Sequence, residues 1–207
     1  MILDISCIVL AGGKGLRLGH DKALETVGNR SLLERVVSRL WRLSSTVIVV
    51  TAQDGSFPQL TGCPELRVVV DTYHGKGPLA GIYAGLAASD SLCNLVVACD
   101  MPFLNQTLLD YMVRVSLEGD VTVPRLGDAI EPLHAVYSRR CLGPVEYLLK
   151  QGRMQVRELL KLVKVRYVEA EEINWFDPEH LSFFNVNTMA DLNRARQIAE
   201  EESNDKC

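Results

Sequence analysis

Residues 5–24 read ISCIVLAGGKGLRLGHDKAL, an apolar run that leads directly into a glycine-rich, positively charged segment. The run 5–10 predicts a buried strand. The three glycines that follow, Gly12, Gly13 and Gly15, permit backbone angles that other residues avoid, and they leave the main-chain N–H groups open to a polyphosphate. The stretch therefore predicts a strand followed by a loop that binds a nucleoside triphosphate.

Two charged side chains strengthen this prediction. Arg17 offers a planar fork that suits phosphate oxygens, and Lys22 offers a point charge. The spacing excludes two common phosphate-binding motifs. Gly13, Gly15 and Gly19 read G-x-G-x-x-x-G, one residue longer than the dinucleotide fingerprint, and no Gly-Lys pair continues into Ser or Thr as a Walker A loop requires. The alternative interpretation is a simple turn between a strand and a helix.

Composition narrows the class of protein. The chain has 207 residues, of which 47% are apolar and 23% charged, with a formal net charge of −4. These values predict one globular domain and argue against nucleic acid as a partner. The N-terminus lacks the basic start of a signal peptide, and no apolar run reaches the length of a membrane span. We therefore expect a cytoplasmic enzyme or binding protein without membrane partners.

The cysteines fit a reducing compartment. They form no C-x-x-C pair and show no metal-ligand spacing with histidine, so we predict free thiols. The six positions are Cys7, Cys63, Cys93, Cys99, Cys141 and Cys207.

Short apolar runs alternate with amphipathic helical segments up to about residue 124. This alternation is typical of right-handed crossovers and predicts an α/β fold with a mainly parallel sheet. The predicted strands are 5–10, 47–51, 66–70, 94–99 and 120–123.

Helix signals lie between these strands. Ser31 and Glu34 form the capping-box pattern at the start of an amphipathic helix. Pro78 suits the first turn of a helix that runs to about residue 88, and Asn105 suits the N-cap of a helix that runs to about residue 117.

Beyond Pro124 the alternation weakens, and we interpret this part as an elaboration of the same sheet. It contains predicted strands near 133–137 and 165–168 and predicted helices at 140–150 and 154–162. A last helix begins at 188–191 and ends in an acidic, frayed tail. No linker divides the chain, so we predict one domain with a nucleotide-binding part over about 1–125 and an acceptor-binding part over about 126–200.

Two aspartates follow predicted strands. Asp100 falls at the carboxyl end of the strand 94–99, where open α/β sheets bind ligands, and we predict it as an Mg²⁺ ligand that acts together with substrate phosphates. The alternative is that it caps the turn before Pro102. Asp71 is followed by a second glycine-rich segment, 72–81, which either lines a base or ribose or only makes tight turns.

An asparagine pair lies near the C-terminus. In the sequence FFNVNT, residues 183–188, Asn185 and Asn187 alternate with apolar residues. They would point to one side of an extended segment and suit a hydrogen-bonding ligand. Asn and Thr before a helix are equally expected as caps.

Five motifs occur in order: LAGGKGLRLGHDKAL (10–24), DTYHGKGPLAGI (71–82), CDMPFL (99–104), EPLHAVYSRR (131–140) and FFNVNTMADL (183–192). Together they closely resemble the molybdenum cofactor guanylyltransferase family over residues 5 to about 196. The resemblance implies a Rossmann-like, three-layer α/β/α nucleotidyltransferase. Such an enzyme joins GMP from GTP to the terminal phosphate of molybdopterin and releases pyrophosphate.

The resemblance also implies site residues. Arg17 and Gly19 belong to its signature loop, Asp100 carries Mg²⁺, and Asn185 and Asn187 lie on the pterin side. We expect Arg17 and Lys22, with the loop amides of Gly12, Gly13 and Gly15, to hold the β- and γ-phosphates. The positions implied to bind GTP are Leu10, Ala11, Gly12, Lys22, Asp71 and Asp100.

Four positions depart from the family pattern. Leu18 stands where Met is more frequent, and Thr51 where Asn can contact the nucleotide. Glu131 replaces a common Gln, and Met189 replaces the usual Pro before the last helix.

Other functions stay open on the residues alone. A CTP-dependent molybdopterin cytidylyltransferase, or a transferase for sugar or polyol phosphates, would share the fold. A nonenzymatic nucleotide-binding regulator would keep the glycines without needing Lys22 or Asp100. The family further implies a handover partner, a molybdoenzyme or a cofactor-delivery protein, whose surface the residues do not locate.

Overall fold

The computed structural model describes residues 4–11, 22–52, 66–73 and 76–204. Within these ranges the strands are β1 (Ile5–Leu10), β2 (Thr26–Val27), β3 (Arg30–Ser31), β4 (Thr46–Thr51), β5 (Leu66–Val70), β6 (Cys93–Ala98), β7 (Val121–Leu126), β8 (Ala129–Ile130), β9 (His134–Ser138) and β10 (Val165–Glu169). The α-helices are α1 (Leu32–Leu40), α2 (Pro78–Ala88), α3 (Gln106–Val115), α4 (Leu142–Lys150), α5 (Val156–Leu159), α6 (Ala170–Asn174) and α7 (Met189–Asn204).

Seven strands form the main path of one sheet, in the order β10-β7-β9-β6-β1-β4-β5, and β8 extends it by pairing with β7. The pairs β6-β1, β1-β4, β4-β5 and β10-β7 are parallel, whereas β9 runs antiparallel between β6 and β7. This is the mainly parallel α/β sheet that the sequence predicts, and its continuation through β7, β9 and β10 confirms the interpretation of the second half as an elaboration of it.

Helices cover both faces of the sheet. Cys7 and Val9 of β1 pack in a core with α1 and α3, whereas Ile8 packs in a second core with α2 and α4. A strand buried on both faces carries mainly apolar side chains, which explains the composition of 5–10. Its one polar residue, Ser6, is buried with its hydroxyl hydrogen-bonded to that of Ser91 at 2.9 Å. The arrangement is the predicted three-layer α/β/α architecture.

Short-range sequence signals determine where three of the helices begin. The Ser31 hydroxyl accepts a hydrogen bond from the Glu34 N–H, and Glu34 accepts from the Ser31 N–H, so the capping box forms as predicted. Pro78 occupies the first turn of α2. The Asn105 side chain caps α3 by accepting from the Leu108 N–H at 3.0 Å.

Several predicted bounds need correction. The α-helix predicted to reach residue 117 ends at Val115 and passes into the 3₁₀ turn Ser116–Glu118, and the helix predicted over 154–162 is only α5. The strand predicted over 120–123 extends to Leu126 because β8 folds back against it. The ribbon β2-β3 and the helix α6 were not predicted, because each is too short to show a period.

The last helix starts as predicted and includes the acidic residues 200–202 that were expected in a frayed tail, whereas 205–207 lie outside the described residues. α7 continues to Asn204 and packs Leu192 and Ala195 against the ribbon and α1. Near its end, Glu202 pairs with Arg35 and Arg39, at 3.0 and 3.4 Å. These ion pairs hold the acidic end of the helix against α1.

Two further predictions concern the chain as a whole. Cys7, Cys93, Cys99 and Cys141 are free and buried, as predicted, whereas Cys63 and Cys207 lie outside the described residues. In the part of the chain that the structure describes, no helix is both long and apolar enough to cross a membrane.

Candidate active site

The candidate site lies at the carboxyl ends of the parallel strands. The chain passes from β1 outward to β4 and β5, and then returns to place β6 on the other side of β1. The connections therefore leave β1 and β6 in opposite directions, which opens a crevice at this edge of the sheet. Leu10 ends β1, and Asp100 lies two residues beyond the end of β6.

Main-chain hydrogen bonds join the predicted nucleotide residues at this edge. The Ala11 N–H donates to the Val50 carbonyl at 2.8 Å, and the Cys99 N–H donates to the Leu10 carbonyl at 3.1 Å. The Asp71 N–H donates to the Thr51 carbonyl at 2.8 Å. The structure thus brings Leu10, Ala11, Asp71 and Asp100 to the ends of adjacent strands.

Asp71 and Asp100 differ in their surroundings. The Asp71 carboxylate accepts a hydrogen bond from the Tyr73 N–H at 2.9 Å, so it also stabilises its own turn. Asp100 lies in the turn after β6, with one carboxylate oxygen, Oδ1, buried. Its main-chain carbonyl accepts a hydrogen bond from the Val186 N–H at 2.9 Å, which connects it to the asparagine segment.

The asparagine pair borders Asp100 through this hydrogen bond. The Val186 side chain is fully buried with Phe103, and Asn185 and Asn187 flank it. Asn185 donates to the Phe183 carbonyl at 3.1 Å. The expected extended segment is shorter than 183–188, because Phe183 belongs to a 3₁₀ turn, Leu181–Phe183.

Thr188, rather than either asparagine, has the capping role at α7. Its hydroxyl accepts from the Asp191 N–H at 3.2 Å, and Asp191 accepts from the Thr188 N–H at 2.8 Å. Met189 begins the helix and is half-exposed, so the first turn forms without the usual proline. The side chains of the asparagine pair are therefore not needed as caps.

A buried network holds the loop before the asparagines. Asp177 is only 5% exposed, and its carboxylate accepts from the N–H groups of Leu181 and Ser182. The Ser182 hydroxyl accepts from the Asn105 N–H at 2.8 Å, and the Asn105 amide donates to the Phe176 carbonyl at 2.7 Å. Sequence reasoning missed this network because its members are far apart in the chain.

The sequence analysis assigns no role to Glu131. Burial and the negative charge of Asp100 raise the pKa of its carboxyl group. Its N–H donates to the Pro124 carbonyl at 3.1 Å, and the Tyr137 hydroxyl donates to the Pro132 carbonyl at 2.7 Å. The motif at 131–140 thus carries Glu131 to the edge of the sheet.

Part of the predicted site lies outside the described residues. This part comprises Gly12, Gly13, Gly15, Arg17, Gly19 and the side chain of Lys22. The main chain of Lys22 starts the 3₁₀ turn Lys22–Leu24, and Ala23 is buried in the core that contains α1.

The described residues suit a metal ion only in combination with a substrate. None of them form a cluster of three or more His, Cys, Asp or Glu side chains that would hold a metal ion. Mg²⁺ commonly takes one or two carboxylates and completes its shell with water and phosphate oxygens. The Asp100 carboxylate at the crevice fits that pattern.

His134 is buried below the asparagine segment without a hydrogen-bonding role. Neither ring nitrogen has a hydrogen-bond partner among the described residues, and the ring centroid lies 4.9 Å from that of Phe183. Burial lowers the pKa of His134 to about 3. The His134 side chain is therefore uncharged in the folded protein at neutral pH.

We expect His134→Leu to make the protein more resistant to acid. Below about pH 6.5 the unfolded chain gains a proton at His134 that the folded chain does not, so stability falls by about 1.4 kcal/mol per pH unit until the folded pKa is reached. Between pH 6.5 and 5 this amounts to about 2 kcal/mol, which the leucine variant retains. Urea unfolding of both proteins at pH 7 and pH 5 measures the difference, and equal losses in the two proteins would contradict the assignment.

Comparison with known proteins identifies a protein family whose model matches this chain. The model of the MobA-like NTP transferase domain matches residues 7–170. This range contains the glycine-rich segment, Asp71, Asp100 and Glu131, and it ends at the start of α6.

Named relatives match nearly the whole chain. A probable molybdenum cofactor guanylyltransferase of Pelotomaculum thermopropionicum is 39% identical over 96% of this chain and 95% of its own length. A molybdenum cofactor guanylyltransferase of Syntrophotalea carbinolica is 35% identical over 93% of this chain and 90% of its own. The crystal structure of molybdopterin-guanine dinucleotide biosynthesis protein A from Archaeoglobus fulgidus is similar with a TM-score of 0.83, at 29% identity, covering 95% of this chain and 99% of that one.

Proposed function

Because the chain belongs to the molybdenum cofactor guanylyltransferases of the MobA-like NTP transferase family, we propose that its crevice transfers GMP from GTP to molybdopterin. The observation that carries this proposal is the 2.9 Å hydrogen bond from the Val186 N–H to the Asp100 carbonyl. It joins the strand end proposed for the nucleotide to the segment proposed for the pterin. A transferase needs both substrates at one place, and this contact brings their two segments together.

The reaction is a substitution at the α-phosphorus of GTP. An oxygen of the terminal phosphate of molybdopterin forms the new P–O bond, the bond between the α-phosphorus and its bridging oxygen breaks, and pyrophosphate leaves. The attacking phosphate is already ionised near pH 7, so no side-chain base is needed. The obstacle is the repulsion of two polyanions, and the protein must supply alignment and positive charge.

We assign the positive charge to the loop after β1. Arg17 and Lys22, with the amides of Gly12, Gly13 and Gly15, would hold the β- and γ-phosphates and stabilise the leaving pyrophosphate. The base and ribose would then lie along the ends of β1 and β5. Leu10, Ala11 and Asp71 are the residues proposed for that contact.

Asp100 would hold a divalent cation, for which we propose Mg²⁺. When bound, this ion supplies charge neutralisation across the α-phosphate and the leaving group. Asp100 would contribute the carboxylate at the crevice. The hydrogen bond from the Val186 N–H to the Asp100 carbonyl supports this role, because it holds the turn that carries that carboxylate. The remaining ligands would come from water and from the phosphates of the substrate.

The second half of the chain would take the acceptor. Asn185 and Asn187 would offer amide groups to molybdopterin next to Asp100, and the buried network of Asp177, Ser182 and Asn105 keeps their segment in place. We therefore propose that about 1–125 binds the nucleotide and about 126–200 the acceptor within one domain. We further propose a cytoplasmic location, supported by the four buried free thiols, and transfer of the product to a molybdoenzyme or a delivery protein.

Base selectivity tests this function against its nearest rival. The purified protein is incubated with Mg²⁺ and molybdopterin together with GTP, CTP, ATP or UTP, and pyrophosphate release is measured. We expect release with GTP and at most traces with the other three. Preferential release with CTP would support a cytidylyltransferase instead, and binding of GTP without any release would support a nonenzymatic nucleotide-binding protein.

A further inference from the structure

An open cavity of about 470 Å³ lies at the same edge of the sheet as Asp100, beyond Glu131. Strands β7 and β10 run parallel to each other and in the same direction as β6, so their carboxyl ends border the cavity from this edge. Its lining consists of Arg125, Gly127, Asp128, Ile130, Tyr167, Glu169, Ala170 and Glu171. None of these residues has a part in the site described so far.

The cavity has a flat, fixed layer of two side chains. The Arg125 guanidinium lies over the Tyr167 ring, 4.2 Å from its centroid. Glu169, which opposes Arg125 in the register of β7 and β10, accepts hydrogen bonds from its Nε and Nη2 atoms. A guanidinium held by a carboxylate in this way offers its outer face to a planar ring. The Arg125 side chain is 40% exposed, so that face is accessible.

The cavity lies next to the segment that leads to the candidate active site. Ile130 lines the cavity, the next residue is Glu131, and the Leu133 carbonyl accepts a hydrogen bond at 2.9 Å from the N–H of Ala98, two residues before Asp100. Only β9 separates β7 from β6, and neighbouring strands of a sheet lie about 4.8 Å apart. A ligand about 10 Å long would therefore reach from the Arg125–Tyr167 layer across Glu131 to Asp100.

Of the three carboxylates of the cavity, Asp128, Glu169 and Glu171, only that of Glu171 does not interact with Arg125. Glu169 is occupied by Arg125, and the charge of Asp128 also acts on Arg125. Glu171, in the first turn of α6, is exposed and forms no ion pair with another described residue. A carboxylate with two free oxygens accepts paired hydrogen bonds from a group that presents two adjacent N–H donors.

We propose that this cavity binds the pterin ring of the acceptor, stacked on the Arg125–Tyr167 layer with Glu171 accepting hydrogen bonds from its 2-amino-4-oxo edge. The ring is planar, and this edge presents an amino group beside a ring N–H, which matches both features of the cavity. The proposal rests on the proposed function, since it assigns a place to the acceptor of that reaction. The terminal phosphate would then extend past Glu131 towards Asp100.

Guanine presents the same donor edge, so the position of the cavity decides between the two rings. The residues proposed for the nucleotide lie on β1 and at the end of β5, on one side of Asp100. The cavity lies on the other side, beyond β9. A nucleotide with its phosphates at the loop after β1 would have to turn away from that loop to place its base here.

Steady-state kinetics of the Glu171→Gln variant show which of the two substrates the cavity binds. We expect the KM for molybdopterin to rise about 10- to 100-fold, as for a lost charged hydrogen-bond pair, with the KM for GTP unchanged. Glu146→Gln, a half-exposed glutamate on α4 away from the cavity, is the matched control and should behave like the wild type. A rise in the KM for GTP would assign the cavity to the nucleotide, and no change in either KM would refute the proposal.

A binding measurement tests the donor edge without the reaction. Pterin-6-carboxylate and the matching 2,4-dioxopteridine, which lacks the 2-amino group, are titrated into the full chain while pteridine fluorescence is followed. We expect the wild type to prefer the 2-amino compound about 10-fold and Glu171→Gln to lose this preference. Equal binding of both compounds to the wild type, or loss of the preference only in Asp128→Asn, would overturn the role of Glu171. An inactive wild type that keeps the preference would instead count against the transfer reaction alone.

Discussion

Asp100→Asn is expected to lower the rate of GMP transfer at least about 1,000-fold while the protein stays folded. The side chain keeps its volume but loses the charge that a divalent cation requires, and such an ion contributes several kcal/mol to the transition state. About 4 kcal/mol corresponds to a factor of about 1,000. The hydrogen bond from Val186 uses the main-chain carbonyl of Asp100, so the asparagine segment keeps its place. Pyrophosphate release under saturating GTP and molybdopterin measures the effect.

The matched control is Asp110→Asn, an exposed aspartate on α3 that lies away from the crevice. It should retain the wild-type rate, and urea unfolding should give both variants nearly the wild-type free energy. Increasing Mg²⁺ or Mn²⁺ should restore little activity to the Asp100 variant. Near-normal guanylyl transfer by Asp100→Asn would refute the assignment of Asp100 as the metal ligand.

The sequence predicts the central sheet well, because its strands carry their own signals. A strand covered on both faces is mostly apolar, so β1 and β6 are visible as apolar runs that each contain one buried polar residue, Ser6 and Asn94. The capping box at Ser31 is also local, since it needs only residues three apart. Short elements lack such signals. The ribbon β2-β3 and helix α6 depend on their packing against distant segments, and no period shows in so few residues.

The residues of the candidate site also fall into those that the sequence could predict and those that it could not. Asp100 and Asp71 could be predicted because a parallel sheet brings the residues after its strands to one edge, whatever the connections do. Glu131 could not be placed in this way, since its position depends on β8 folding back on β7 and on β9 entering the sheet antiparallel. The layer of Arg125 and Tyr167 is equally hidden. It requires the pairing of β7 with β10, whose residues are more than 40 positions apart in the chain.

Glycines of α2 show a further limit of sequence reasoning. The segment GPLAG suggests tight turns and a helix start, but Gly81 and Gly85 have a packing role within the helix. A Cβ atom added at Gly81 would lie 3.2 Å from Leu10, and one at Gly85 only 2.4 Å from the Cγ2 atom of Ile8. These two glycines, one turn apart, let α2 approach β1 closely, just below the strand end that leads into the site.

Gly85→Val is therefore expected to destabilise the fold by about 3 kcal/mol, the upper part of the usual range for overpacking. Ile8 has no exposed surface and is paired with Ile48 on one side and Val96 on the other, so it has no room to move away from the new methyl groups. Its branched side chain is also restricted in rotamer. Either α2 moves away from the sheet or β1 shifts in its register, and both changes open the core. Urea unfolding followed by circular dichroism measures the loss.

Gly143→Val on α4 is the matched control, because a Cβ atom there meets nothing within 4 Å. Valine is slightly better than glycine within a helix, so this variant should match the wild type to within about 0.5 kcal/mol. The contrast between the two variants isolates close packing from helix propensity. Since α2 supports the strand that ends at Leu10, any folded fraction of Gly85→Val should also bind GTP more weakly. Equal stability of the two variants would show that α2 and β1 do not approach as closely as the structure describes.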